Sequence, residues 1–343
     1  MKKVLAMILS LAMVLSLAAC GGSDTSSDAA TDDTAAEEST GEVITLRASS
    51  STAPTHPYNV GLEKFAELVA ERTNGQIKID IFPSAQLGDE RANIEDLQMG
   101  TLDIAVSSTG PLGNFVEDFL ILDLPYLFSN YEHAHAVLDG EVGEGLKAQL
   151  TDLGIVGGAF WENGFRQMTN SKLAINSPAD CAGLKLRCME NQAHIAAFSA
   201  LGMDPTPMAW SEVFTALQQG VIDGQENPIA VIYSNAVYEA QAHLAITNHV
   251  YSAAMILFSQ ATMDKLSAEQ QQILLDAAQE VAAYERSLCE DGEAEQIAEM
   301  ESKGLQVTYP EIAPFQETLA DVYAQFAEQF GQDNIDAIRN YAY

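Results

Sequence analysis

Two stretches decide how this chain is read: Gly183-Leu184-Lys185-Leu186-Arg187-Cys188-Met189, and Pro205-Thr206-Pro207-Met208-Ala209-Trp210-Ser211-Glu212-Val213-Phe214-Thr215-Ala216-Leu217-Gln218-Gln219-Gly220-Val221-Ile222-Asp223-Gly224-Gln225-Glu226-Asn227-Pro228. Alternation over Leu184–Met189 predicts a strand, with Leu184, Leu186 and Cys188 on one face and Lys185, Arg187 and Met189 on the other. Pro205 to Trp210 reads as a rigid loop, and Ser211 to Gln219 as a helix stopped by Gly220. Asp223 to Pro228 reads as turn-rich, with Asn227 a turn residue. Arg187 would leave its strand near the C-terminal end, where open α/β sheets hold ligands. A guanidinium there can grip a carboxylate through two parallel charge-assisted bonds. It can also be a surface arginine paired with an acid, and the spacing leaves both readings open. Trp210 either walls a pocket or packs as core.

Outward from this centre the pattern repeats. Ile44 to Ser50, Ile77 to Phe82, Leu102 to Val106 and Gly154 to Trp161 read as strands. Pro57 to Thr73 and Gly88 to Gly100 read as helices. Strands alternating with helices predict a parallel or mixed α/β sheet with crossover helices. Ser267 with Gln270 forms a capping-box signature. The apolar rhythm that follows predicts about 36 residues of helix before Gly304, either unbroken or divided near Gly292.

The chain has 343 residues and a formal net charge of −33, which excludes a nucleic-acid coat. Residues 1–20 carry Lys2, Lys3 and no acid; residues 21–42 carry seven acids and no base; the rest holds 14 bases against 42 acids, a net of −28. Residues 1–20 read as a bacterial secretion signal. Leu17-Ala18-Ala19-Cys20-Gly21 resembles a lipoprotein cleavage site, which implies that Cys20 carries a lipid anchor on the outer face of the membrane. Residues 21–42, small, polar and acidic, read as a disordered tether. Cys181, Cys188 and Cys289 form an odd set without a Cys-x-x-Cys, so no zinc site is indicated.

Catalytic motifs are missing from the sequence: there is no Gly-x-Ser-x-Gly elbow, P-loop or dinucleotide fingerprint. His133-Ala134-His135 lacks supporting metal-ligand spacing. Neither a metal nor a cofactor is expected. Basic residues are scarce enough to weigh singly, since none occurs between Arg187 and Lys265. Arg166, in Gly164-Phe165-Arg166-Gln167 just after a predicted strand, is the second candidate.

The two opening stretches, with Phe82-Pro83-Ser84-Ala85-Gln86-Leu87-Gly88 and Gly164-Phe165-Arg166-Gln167, closely resemble the substrate-binding proteins of tripartite ATP-independent periplasmic (TRAP) transporters, of the DctP type. The resemblance covers roughly residues 43–343. It implies a two-lobed, periplasmic-binding-protein-like α/β receptor that closes on an organic acid and delivers it to membrane permease subunits. It implies that Arg187 grips the ligand carboxylate, helped by Arg166 and Asn227, and that Trp210 lines the pocket. It also implies that the helix over Ser267–Lys303 underlies both lobes. Ser107 stands where sialic-acid receptors of the family carry Glu, which directs the expectation to sugar acids (uronates, aldonates) or C4-dicarboxylates. His56 and Tyr58 are further pocket candidates, and His194 a more distant one. Lobe I is expected over roughly 43–163 and 253–292, and lobe II over 164–252 and 293–343. A monomer is expected. The competing reading is a binding protein that reports ligand to a membrane kinase; a secreted acid hydrolase would be the third.

Overall fold

Ile44–Ser49 (β1) and Ile77–Phe82 (β2) pair in parallel along their whole length, joined by the helix Pro57–Arg72. This is the crossover unit the alternation predicts. The structure is a computed structural model and describes residues 43–343; the secretion signal, Cys20 and the tether lie outside them. The remaining strands are Ile104–Ser108 (β3), Ile155–Asn170 (β4), Lys185–Cys188 (β5), Asp204–Pro207 (β6), Gly224–Pro228 (β7), His243–Ala245 (β8), Tyr251–Ser259 (β9) and Gln306–Thr308 (β10). They form one mixed sheet in the order β2-β1-β3-β9-β4-β7-β5-β6, with β8 on β4 and β10 on β8.

β4 organises the molecule. Its first part pairs with β9 through Phe165. From Arg166 onward it pairs with β7, and from Met168 with β8. One strand of 16 residues therefore carries the chain from one half of the sheet into the other. Two register shifts against β9, at Gly157/Phe160 and Glu162/Gly164, bend it on the way. The expected strand stopped at Trp161, because Glu162, Asn163, Arg166 and Gln167 break the apolar pattern. All four are buried and answered by polar partners. Arg166 thus lies inside a strand, not after one. The Asp223–Pro228 stretch is likewise corrected: Gly224–Pro228 is strand, buried at every position. β9 carries no alternation because it is buried on both faces.

The helix Ala268–Ser302 runs unbroken for 35 residues, passing straight through Gly292. At 1.5 Å per residue it spans about 50 Å. Ser267 accepts from the Gln270 amide while the Gln270 side chain accepts from the Ser267 amide, closing the predicted capping box. Its first half packs Leu274, Ala277, Ala278 and Val281 into a core with Leu62, Phe65 and Trp161. Its far end packs Met300 into a separate core with Val213, Leu217 and Ile232. A single rigid element is therefore anchored in both halves. Among the described residues no helix is long and apolar enough to cross a membrane, and Cys181, Cys188 and Cys289 are buried free thiols.

Candidate functional site

The two halves meet at a small cleft. Ser51, Thr52, Tyr58, Glu90 and Ser108 line it from one side; Arg187, Met189, Trp210 and Asn227 line it from the other, with Asn163 of β4 between them. A wider open groove of about 580 Å³ borders Tyr126, Tyr131 and Arg339. Its arginine is stacked on Tyr323 and lies near Asp336, so that groove offers no uncommitted cation.

Arg187 sits in β5 and is 4% exposed. Its Nε and Nη2 both donate to the Met208 carbonyl, at 2.9 and 2.6 Å. Its guanidinium lies 5.6 Å from the Trp210 ring, a cation–π arrangement. The other six arginines among the described residues each have a carboxylate within 4.0 Å. Arg187 has none. Burial pushes its pKa down, Glu226 opposing. A buried guanidinium without a counter-ion is costly to maintain, and here it faces a cleft.

Arg166 is fully buried and committed to Glu226: Nε and Nη2 donate to the two carboxylate oxygens, and Nη2 also to the Glu226 carbonyl. Burial works against the charge on Glu226, but the Arg166 guanidinium and the hydrogen bond from His249 hold its carboxyl well below the usual range. Arg166 does not line the cleft. Its Nη1 is buried without a protein partner, and this atom alone remains for a ligand. Asn227 lines the cleft and its Nδ2 donates to Gln225 Oε1 at 2.6 Å.

The remaining candidates separate. Tyr58 is 1% exposed and lines the cleft with its hydroxyl unpartnered. His56 does not line it. Its Nδ1 accepts from the Tyr58 amide and caps the helix Pro57–Arg72, and burial pushes its pKa down to about 3. Ser107 is displaced by one residue from the cleft: its hydroxyl donates to the Ser108 carbonyl, whereas Ser108 faces the cleft. One step along a strand reverses the face. His194 lies near Asp123 and Glu226, away from the cleft lining. His133 and His135 do not converge, since the His133 ring is held by Ser129 and the Ile338 carbonyl.

Glu90 was not legible in the sequence. It opens the helix Glu90–Met99, and its two oxygens accept from the Ser108 amide at 2.6 Å and hydroxyl at 2.9 Å. Burial raises its pKa, opposed by those bonds and by the charge of Arg187. Only its place in Gln86-Leu87-Gly88-Asp89-Glu90 could have marked it. The cleft therefore holds a cation, Arg187, and an acceptor, Glu90, near enough that each bears on the other's charge. Ser51, Thr52, Tyr58 and Ser108, which carry hydroxyls, and Asn163, which carries an amide, also line it.

A mixed sheet divided by one shared strand, a helix anchored in both halves and a cleft holding an unpaired buried arginine define a two-lobed solute-binding protein. The chain belongs to the DctP family: residues 48–329 match the family described as bacterial extracellular solute-binding protein, family 7. It is 45% identical over 297 residues to a solute-binding protein of Verminephrobacter eiseniae, covering 86% of this chain and 89% of that one. It is 38% identical over 262 residues to the 2,3-diketo-L-gulonate-binding periplasmic protein YiaO of Escherichia coli, covering 76% and 80%. Among solved structures it resembles a TRAP periplasmic solute-binding protein from Polaromonas sp. JS666 bound to D-erythronate. That match has a TM-score of 0.86 and 43% identity, over 88% of this chain and 100% of that one.

Proposed function

We propose that this protein is the extracytoplasmic receptor of a TRAP transporter and binds a monoanionic polyhydroxy acid of the aldonate or uronate kind. Arg187 takes the carboxylate; the hydroxyl-rich wall and Glu90 take the hydroxyls. The observation that carries this reading is one unneutralised buried guanidinium facing a small cleft otherwise lined by hydroxyl and amide side chains and the Glu90 carboxylate. A second ligand carboxylate would share this small cleft with the Glu90 carboxylate, so a C4-dicarboxylate fits it less well than a hydroxy acid. The D-erythronate and diketogulonate binders among the related proteins support the same choice.

Free receptor is open; ligand touching both walls shifts the equilibrium to closed, and the closed form docks on the permease. The lobe division at 43–163 with 253–292, and 164–252 with 293–343, is supported by the change of partner that β4 makes at Phe165/Arg166. The protein acts as a monomeric receptor rather than an enzyme, held to the membrane by lipid on Cys20. Loss of the protein from the membrane fraction in Cys20→Ala tests the anchor, and full retention contradicts it. The ligand is tested by thermal shift against aldonates, uronates and C4-dicarboxylates, because a ligand of the native state raises the melting temperature. Stabilisation by the first two classes is expected; stabilisation by dicarboxylates alone overturns the assignment.

A further inference from the structure

Glu162 lies in the middle of β4, 0% exposed, at one of the two register shifts against β9. A carboxyl group in such a place needs partners. Its Oε2 has two: Tyr251 Oη donates at 3.0 Å and His135 Nε2 lies at 2.7 Å. Its Oε1 is buried and has none. No Lys or Arg among the described residues forms an ion pair with it. Arg286, nearby, is occupied by both oxygens of Asp139 and by the Phe160 carbonyl. On the solvent side stands Glu290, with Oε1 3.9 Å from His135 Nε2. One ligand atom from each of His135, Glu162 and Glu290 lies within 4.8 Å of the other two.

We propose that His135, Glu162 and Glu290 form a site for one divalent transition-metal ion, with Zn²⁺ the ion best matched to it. One imidazole and two carboxylates are a Zn²⁺ donor set, whereas Ca²⁺ and Mg²⁺ favour oxygen ligands alone and higher coordination. Ligand atoms on a tetrahedral ion with bonds of about 2.0–2.1 Å stand about 3.4 Å apart. The present spacings, 3.9 Å between His135 and Glu290 and 2.7 Å between His135 and Glu162 Oε2, therefore ask for a small rotation of Glu290, whose side chain is 35% exposed, and of the His135 ring away from Oε2. The ion would take the place of the His135–Glu162 hydrogen bond, releasing its proton to solvent, and supply the partner that Oε1 lacks. It enters from the side where His135 is 20% exposed, and water completes the fourth position.

The three ligands come from three elements: the helix Tyr131–Leu138, β4 and the long helix. A bound ion fastens the long helix to β4 close to where β4 changes partners. The site does not rest on the identity of the organic acid.

The test is calorimetric titration of Zn²⁺ into chelator-treated receptor without organic acid, in excess Mg²⁺ to occupy the exposed acids of this anionic chain. One site per chain is expected. It should weaken at least about tenfold in both His135→Gln and Glu290→Gln, the scale on which even outer partners of a metal matter. Both side chains are partly exposed, and thermal melts of the two variants establish that they are folded. Co²⁺ supplies an independent readout: a low-coordinate absorption band in the parent protein that is lost in both variants. Multiple weak binding, binding removed by Mg²⁺, or a single site indifferent to both substitutions overturns the proposal.

Discussion

Arg187 shows what a residue-scale reading can and cannot reach. Period two in Leu184–Met189 placed it on the face away from Leu186, near the end of a strand. Whether it was a ligand grip or half of a surface pair depended on the acids around it, and those arrive from distant sequence. The structure brings none within ion-pair range. The reverse happened at Arg166, whose partner Glu226 is 60 residues away. Ser107 and Ser108 differ only in the face they present, and a sequence fixes that only when register is known. Glu90→Gln should relax selectivity, with C4-dicarboxylates gaining affinity relative to aldonates in competition titrations; unchanged selectivity would remove Glu90 from the acceptor role.

His56 gives a residue-scale prediction in pH. Its folded pKa of about 3 lies below the ordinary 6.5, so the unfolded chain binds the proton first. The stability it contributes is complete above about pH 6.5 and is lost as pH falls toward 3, at about 1.4 kcal/mol per pH unit. Asn is also a good cap acceptor. Hence His56→Asn should keep the helix and lose about 1.3 kcal/mol less than the parent between pH 7 and pH 5.5. Urea denaturation at the two pH values reads this directly, and parallel losses would contradict it.

At the scale of elements, the parts with a clear period were legible: β1, β2, the helix Pro57–Arg72 and the long capped helix. β7, β9 and the second half of β4 were not. Each lies inside the sheet, where burial on both faces removes alternation and buried polar residues imitate a loop. Gly224 shows the physical constraint behind β7: a Cβ there would stand 2.1 Å from the Thr169 carbonyl oxygen. Gly224→Ala must therefore push β7 off β4. We expect a loss of about 3 kcal/mol in urea denaturation, with weakened ligand binding because Asn227 lies on the same strand. A variant as stable as the parent would show that β7 can move at little cost. The long helix needs no such constraint, since its cap and its apolar rhythm are local features of its own sequence.

At the scale of the whole molecule, charge and function pull in opposite directions. Residues 43–343 carry a net −28, yet the ligand is an anion. Long-range attraction cannot draw it in; a local guanidinium must act within a repulsive field. Salt screens that field over about 8–10 Å at 0.1–0.15 M. The association rate of the acid, followed by stopped-flow Trp fluorescence, should therefore hold or rise with ionic strength. A steep fall would mean that a positive surface steers the ligand.

The most direct test of the central claim is calorimetric titration of an aldonate into the parent receptor and into Arg187→Ala. If Arg187 is the carboxylate grip, the substitution costs about 3 kcal/mol, roughly a hundredfold in Kd, while the protein stays folded. Equal affinity in the two proteins would place the carboxylate elsewhere and contradict the account.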